Sequence, residues 1–144
     1  RVDGDGIYIP ANLFVIGTMN IADRSLAMVD LALRRRFSFI DLKAEFGEPW
    51  KRTLALQPNF SNEFIRDIEN RIRELNEVIA ADDDLGEQFQ IGHSYFTPGE
   101  GEQIDDPGQW FYLIVEYKIR PLLEEYWFDN LSKAAELKEQ LLLD

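Results

Sequence analysis

Leu13-Phe14-Val15-Ile16-Gly17-Thr18-Met19-Asn20 reads as a strand running into a polar tip. An apolar run of strand length without alternation is the pattern of a strand covered on both faces, which points to a buried, parallel sheet. Upstream, Ile7-Tyr8-Ile9 is a short β-prone run ended by Pro10. Downstream, Asp23 or Ser25 offers a side-chain oxygen for a helix N-cap, and Leu26, Val29 and Leu33 recur at helical spacing. Arg34-Arg35-Arg36 closes that helix where cations suit the negative end of its dipole. Phe37-Ser38-Phe39-Ile40-Asp41-Leu42 then alternates as a further strand. Residues 7 to 42 thus form a strand-helix-strand unit, too small to make a sheet of its own.

Beyond Lys43 the chain turns helical and acidic. Residues 49 to 56 suit a short helix with Pro49 in its first turn, broken by Pro58-Asn59. Phe64, Ile68, Ile72, Leu75 and Ile79 make the clearest apolar stripe in the chain, starting behind Ser61. Asp82-Asp83-Asp84 ends that helix against its dipole; without the glycine and ligand spacing of a calcium loop it reads as a solvated turn. Residues 85 to 108 are punctuated by Gly86, Gly92, Pro98, Gly99, Gly101, Pro107 and Gly108, with Tyr95-Phe96 as a possible short strand. From Trp110 to Tyr126 a second helical stripe is expected to kink or restart at Pro121. Trp110, Trp127 and Phe128 fall on helical spacing and read as core, not as a base-stacking platform. A last helix covers residues 130 to 142.

Composition narrows the chemistry. In 144 residues there is no cysteine and one histidine, which excludes disulfides, thiolate metal sites and histidine-rich metal centres. No metal site is expected. No apolar run is long enough to span a membrane, and the first residues lack the apolar core of a signal peptide, so a soluble, cytoplasmic protein is expected. The net charge of -12 is uneven: residues 1 to 42 sum to zero, whereas residues 43 to 144 carry ten basic and 22 acidic side chains. Such a surface repels phosphate backbones, so any DNA contact is expected outside this chain.

Three features lie close together near the start: Asn20 at the strand tip, Asp23-Arg24 in the following turn, and Arg34-Arg35-Arg36 one helix later. In open α/β sheets, ligands bind beyond the carboxyl ends of the strands, where Asn20 falls. Its amide suits a water or a phosphate oxygen, and guanidinium groups are planar, permanently charged phosphate donors. Singly, each has a plain structural use as turn former or dipole cap. Together they suit a phosphate group beyond the strand end.

Thr18-Met19-Asn20-Ile21-Ala22-Asp23-Arg24-Ser25 and Asp30-Leu31-Ala32-Leu33-Arg34-Arg35-Arg36-Phe37-Ser38-Phe39 closely resemble the sequence after the Walker B strand in the McrB family of AAA+ GTPases, the motors of methylation-dependent restriction systems. Ile91-Gly92-His93-Ser94-Tyr95-Phe96 and Pro121-Leu122-Leu123-Glu124-Glu125-Tyr126-Trp127-Phe128 resemble the same family's C-terminal helical region. The resemblance implies an α+β, predominantly α chain. Residues 1 to 42 would end an AAA+ α/β subdomain carrying sensor I and the arginine finger, and residues 43 to 144 would be a helical lid.

The same resemblance implies roles. Asn20 would be the sensor I residue orienting the hydrolytic water, and Arg35, or else Arg36, the finger reaching a neighbouring subunit's site. Arg24 and Arg34 would make intersubunit contacts. Asp23, His93 and Ser94 would lie at the nucleotide. Ile21 stands where the family has threonine, which leaves GTP or ATP open. No Gly-x-x-x-x-Gly-Lys-Ser/Thr loop and no apolar strand ending in Asp-Glu is present, so this chain alone is expected to be inactive. Mg2+ and the nucleotide would belong to the full-length protein. Its partners would be further copies in a ring, a nuclease subunit and DNA, with no membrane. The alternatives are a MoxR-like AAA+ chaperone ATPase and a non-enzymatic helical interaction module.

Overall fold

The computed structural model describes residues 10–19 and 35–142. The chain divides into two compact units, 1–37 and 38–144. Among the described residues of the first unit, Leu13 N–H donates to the Pro10 carbonyl (3.1 Å) and residues 35–37 form a turn. The expected strand at 13–17 carries no ladder, and Phe14 and Ile16 are exposed. Residues 38–42 are likewise extended without pairing, so no β-strand occurs among the described residues. The cause is that a strand is made by its partner: apolar patterning predicts the burial, but the ladder bonds need a neighbouring strand. Ile7-Tyr8-Ile9 and the expected helix before Arg34 lie outside the described residues.

The second unit is helical. Its elements are α1 (Glu48–Leu54), α2 (Asn62–Ala80), 3-10 turns at Glu87–Phe89 and His93–Phe96, α3 (Pro107–Ile114), a π turn (Val115–Ile119), α4 (Arg120–Tyr126) and α5 (Leu131–Leu142). Helix α2 starts because Ser61 has extended backbone and its Oγ accepts from the Phe64 N–H at 3.1 Å, satisfying one of the orphan donors of the first turn. Ile65, Ile68, Ile72, Leu75 and Ile79 are buried, so the stripe faces the core as its period requires. Phe64 lies at its edge, packed edge-on against Phe60 with centroids 5.3 Å apart, and Trp110 lies 5.1 Å from Phe60. Helices α4 and α5 pack against each other, and α5 also packs on α2 and on the π turn.

Pro121 has the expected consequence. It lacks the N–H that would bond to the Tyr117 carbonyl, and its ring would crowd that carbonyl in a regular helix. The chain widens just before it, and Arg120 N–H reaches back to the Val115 carbonyl, a π-type bond. Glu116 ties this turn down. Its carboxylate meets Arg120 Nε at 2.9 Å and Lys138 Nζ on α5 at 3.3 Å.

Two sequence expectations are corrected in this unit. Tyr95-Phe96 is part of a 3-10 turn rather than a strand, since Phe96 is buried and no strand is present for it to pair with. Phe128 is 78% exposed rather than core. Helical spacing stops at Trp127 (φ -116°, ψ 52°), Asn130 N–H bonds to the Trp127 carbonyl, and Asn130 Oδ1 accepts from Lys133 N–H to start α5. Phe128 therefore falls in a turn, off the stripe. Trp127 is buried as expected, and Trp110 is half-buried.

The acidic triplet after α2 is more than a solvated turn. Asp82 Oδ2 accepts from Trp127 Nε1 and from Lys133 Nζ, both at 2.8 Å, and Lys133 also sits 4.6 Å from the centre of a Trp127 ring. One carboxylate thus joins the end of α2 to the α4–α5 turn. The Lys133 bond first, and the indole bond second, hold its pKa at about 2, below the ordinary 3.8. Because the folded pKa is depressed, this stabilisation is present above pH ~4 and is lost as pH falls toward 2. Acid unfolding followed by circular dichroism should therefore show Asp82→Asn less stable than the parent at pH 7, by about 2 kcal/mol, with the gap narrowing between pH 4 and 2.

Candidate nucleotide-facing segment of the lid

Residues 91 to 96 cross from one buried anchor to another. The side chains of Ile91 and Phe96 are in the core, whereas His93, Ser94 and Tyr95 between them are exposed. The backbone is held from beneath at both ends. Asn76, buried on α2, donates through Nδ2 to the Ile91 carbonyl (2.9 Å) and accepts from the Ile91 N–H through Oδ1 (2.7 Å). Gln90 Nε2 adds a bond to the Asn76 carbonyl at 3.3 Å. At the far end, Trp50 Nε1 of α1 donates to the Phe96 carbonyl at 3.2 Å. Thr97 Oγ1 closes the turn on the His93 carbonyl at 2.8 Å.

Aromatic packing sets the floor. Phe46 meets Trp50 edge-on with centroids 5.1 Å apart, lies 6.3 Å from Phe96, and presents an edge to the His93 ring at 6.3 Å. Such edge-to-face pairs fix ring directions as well as burying area. Trp50 in turn rides on a helix joined to α2 by charge: Glu69, buried, takes Lys51 Nζ at 2.7 Å and Arg73 at 3.0 Å. The hydrogen bond to Glu69 raises the Lys51 pKa and keeps its ammonium charged. The preceding turn is pinned by Tyr126, whose O–H donates to the Phe89 carbonyl at 2.9 Å. Burial first, then Tyr95 and Glu125, push that phenol up to about 12, so it remains a donor throughout the ordinary pH range.

His93 and Ser94 therefore stand side by side on a braced turn, with an imidazole and a hydroxyl directed to solvent. Both are neutral-capable donors and acceptors suited to phosphate oxygens or base edges. Arg35 and Arg36 are exposed at the turn 35–37 of the first unit. Asn20, Asp23, Arg24 and Arg34 lie outside the described residues. Among the described residues, no group of three or more His, Cys, Asp or Glu is placed to hold a metal ion. No described helix is long and apolar enough to cross a membrane. An open groove of 410 Å³ between α1 and the loop 98–103 is lined partly by Glu100 and Glu102, which does not suit an anion.

Sequence reasoning missed Asn76, Trp50 and Phe46. A signal existed for Asn76: it falls between Ile72 and Ile79 on the apolar face of α2, where an amide needs bonding partners. Nothing in the sequence named Ile91 as that partner.

Residues 67–135 match the McrB alpha-helical lid domain. The helical part of this chain thus carries a McrB-type lid domain. The chain as a whole is similar to a McrB subunit. It is 43% identical over 143 residues to the type IV methyl-directed restriction enzyme EcoKMcrB subunit of Escherichia coli strain K12, covering 99% of this chain and 31% of that protein. The chain spans about a third of the length of the curated relative it matches.

Because Tyr126 is half-buried and its hydroxyl has a main-chain acceptor, Tyr126→Phe should cost about 1 kcal/mol in chemical denaturation. Amide exchange should rise in residues 87–90 rather than in α5.

Proposed function

We propose that this chain is the C-terminal portion of a ring-forming AAA+ motor subunit that hydrolyses GTP or ATP and serves a methyl-directed restriction system. The observation that carries the reading is the 43% identity spread over 143 residues, which takes in both the arginine-bearing first unit and the lid. In the full-length protein Mg2+ and the nucleotide are held by a phosphate-binding loop and an acidic strand end, neither of which occurs in this sequence. Translocation of DNA with a nuclease subunit, DNA contact outside this chain, and a cytoplasmic location complete the reading.

Within it, Asn20 orients the attacking water, with Asp23 beside it. Arg35, with Arg36 as the second candidate, enters a neighbouring copy's site to neutralise charge in the phosphoryl transition state. Arg24 and Arg34 serve intersubunit ion pairs. His93 and Ser94 touch the nucleotide from the lid. Their shared exposure on a turn braced at both ends supports this, since a contact residue works best on a fixed backbone. The chaperone alternative uses the same sensor and finger logic without a nuclease, and no feature of the lid favours it.

Two measurements test the proposal. Full-length Arg35→Ala mixed with wild type should lower GTP turnover more than dilution accounts for, because each finger acts in trans; loss proportional to dilution would remove Arg35 from the role. Gly92 gives a separate readout. Its φ is ordinary and a Cβ there would meet only Ser94 Oγ at 3.9 Å, so the fold does not demand glycine. Gly92→Ala should leave melting unchanged or slightly raised, by up to about 1 kcal/mol. It should raise the KM for GTP severalfold if the backbone approaches the nucleotide, and an unchanged KM would place the nucleotide away from this turn.

A further inference from the structure

We infer that Asn76 is a positioning residue for nucleotide contact, fixing the direction in which the His93-Ser94 turn faces, with Trp50 holding the turn's far end. The role rests on His93 and Ser94 being nucleotide contacts as proposed above.

Both functional ends of the Asn76 amide are spent on one residue. Its acceptor takes the Ile91 N–H and its donor takes the Ile91 carbonyl, so the peptide planes on both sides of Ile91 are fixed. The next residue is Gly92, which has more backbone freedom than any other residue type. Without the amide, the chain entering His93 would pivot there. The far end is fixed by a different helix, through Trp50 Nε1 and the Phe96 carbonyl. Between these clamps no main-chain anchor comes from α2, and the exposed side chains follow the backbone.

The amide is also poorly explained by packing alone. It occupies a buried position on the apolar face of α2, flanked by Ile72 and Ile79, where an aliphatic side chain would fill space without the cost of desolvating an amide. An aliphatic residue would, however, leave the Ile91 N–H and carbonyl without partners at this place. A two-ended side chain bond to main chain supplies orientation as well as satisfaction, in the way that outer residues orient the groups touching a ligand.

The test is a double-mutant cycle in the full-length protein, with steady-state hydrolysis read against GTP and Mg2+ as the probe. Asn76→Ala should raise KM roughly tenfold, about the value of one buried hydrogen bond, and change kcat less than about twofold. In a His93→Ala/Ser94→Ala background the same substitution should change KM less than about twofold, because the groups it positions are gone. An equal KM effect in both backgrounds would make Asn76 a general stabiliser and overturn the inference, as would no effect in the parent. If His93→Ala/Ser94→Ala itself leaves KM unchanged, the nucleotide assignment of the turn fails first, and the positioning role fails with it. Should Asn76→Ala not fold, Trp50→Phe decides: it keeps a smaller ring in the core, removes the Phe96 bond, and must show the same dependence on His93 and Ser94. Additive behaviour of Trp50→Phe would overturn the inference.

Discussion

Burial of one face of α2 is the constraint on which the rest of the lid depends. Ile65, Ile68, Ile72, Leu75 and Ile79 form a continuous strip, and a fully buried side chain of this size contributes about 1.5–3 kcal/mol. The strip cannot be covered by one neighbour. It shares one core with Leu137 and Leu141 of α5, Val115 and Ile119 of the π turn, Leu123 of α4, and Ile91 and Phe96 of the irregular stretch. Each partner is then locked to its place by a polar contact at the edge: Asp82 to Lys133 and Trp127, Arg71 to the Leu141 carbonyl, Glu69 to Lys51. Apolar burial sets how much is gained, and these directional bonds set the register in which it is gained.

The stretch from 85 to 106 has little regular hydrogen bonding, so its backbone must be satisfied by side chains. Side chains distant in sequence do so: Asn76 at Ile91, Trp50 at Phe96, Gln57 at Glu102 and Ile104, Asn59 at Ile104 and Asp105, and Tyr126 at Phe89. Each of these lies at least 15 residues from its partner. A loop built this way has a fixed shape without being a helix or a strand. Gly86 (φ +89°) and Gly101 (φ +76°) are the points in this stretch where a positive φ favours glycine.

These long-range bonds also explain which parts of the fold were legible in the sequence. Helices α1, α2 and α5 and the disturbance before Pro121 follow from spacing and local chemistry, and all were foreseen. The Asn76–Ile91 and Asp82–Trp127 bonds are tertiary, and nothing local distinguishes Asp82 from Asp83 or Asp84. Phe128 was misread because a period of 3.6 was continued one residue past the end of the helix. The strands at 13–17 and 37–42 were read from apolar patterning, which reports how a segment would be buried but not whether its pairing partners are present. Of the site residues, His93 and Ser94 were named from a resemblance, while the residues bracing them were not visible until the fold brought α1 and α2 beneath the turn. For Asn20, Asp23, Arg24 and Arg34, sequence remains the sole basis.

Charge constrains what this lid can contribute to triphosphate chemistry. From Glu74 to Tyr117 there is no lysine or arginine, and 11 carboxylates occur in those 44 residues. Asp82, Glu87 and Glu116 among them pair with Lys133, Lys43 and Lys138, and the stretch stays acidic on balance, which disfavours a phosphate there to an extent that salt reduces. On the proposed reading, contacts made from the His93-Ser94 turn are short, directional hydrogen bonds, whose worth depends steeply on placement. Cationic neutralisation has to come from elsewhere, and Arg34-Arg35-Arg36 is the densest source in the chain. On the proposed reading a division of labour follows, in which arginines supply charge and the lid supplies geometry. It gives a physical reason for the lid to hold this turn by a buried amide and an indole: Coulomb attraction falls off gently with distance, whereas a hydrogen bond fails when its donor is misplaced by an ångström.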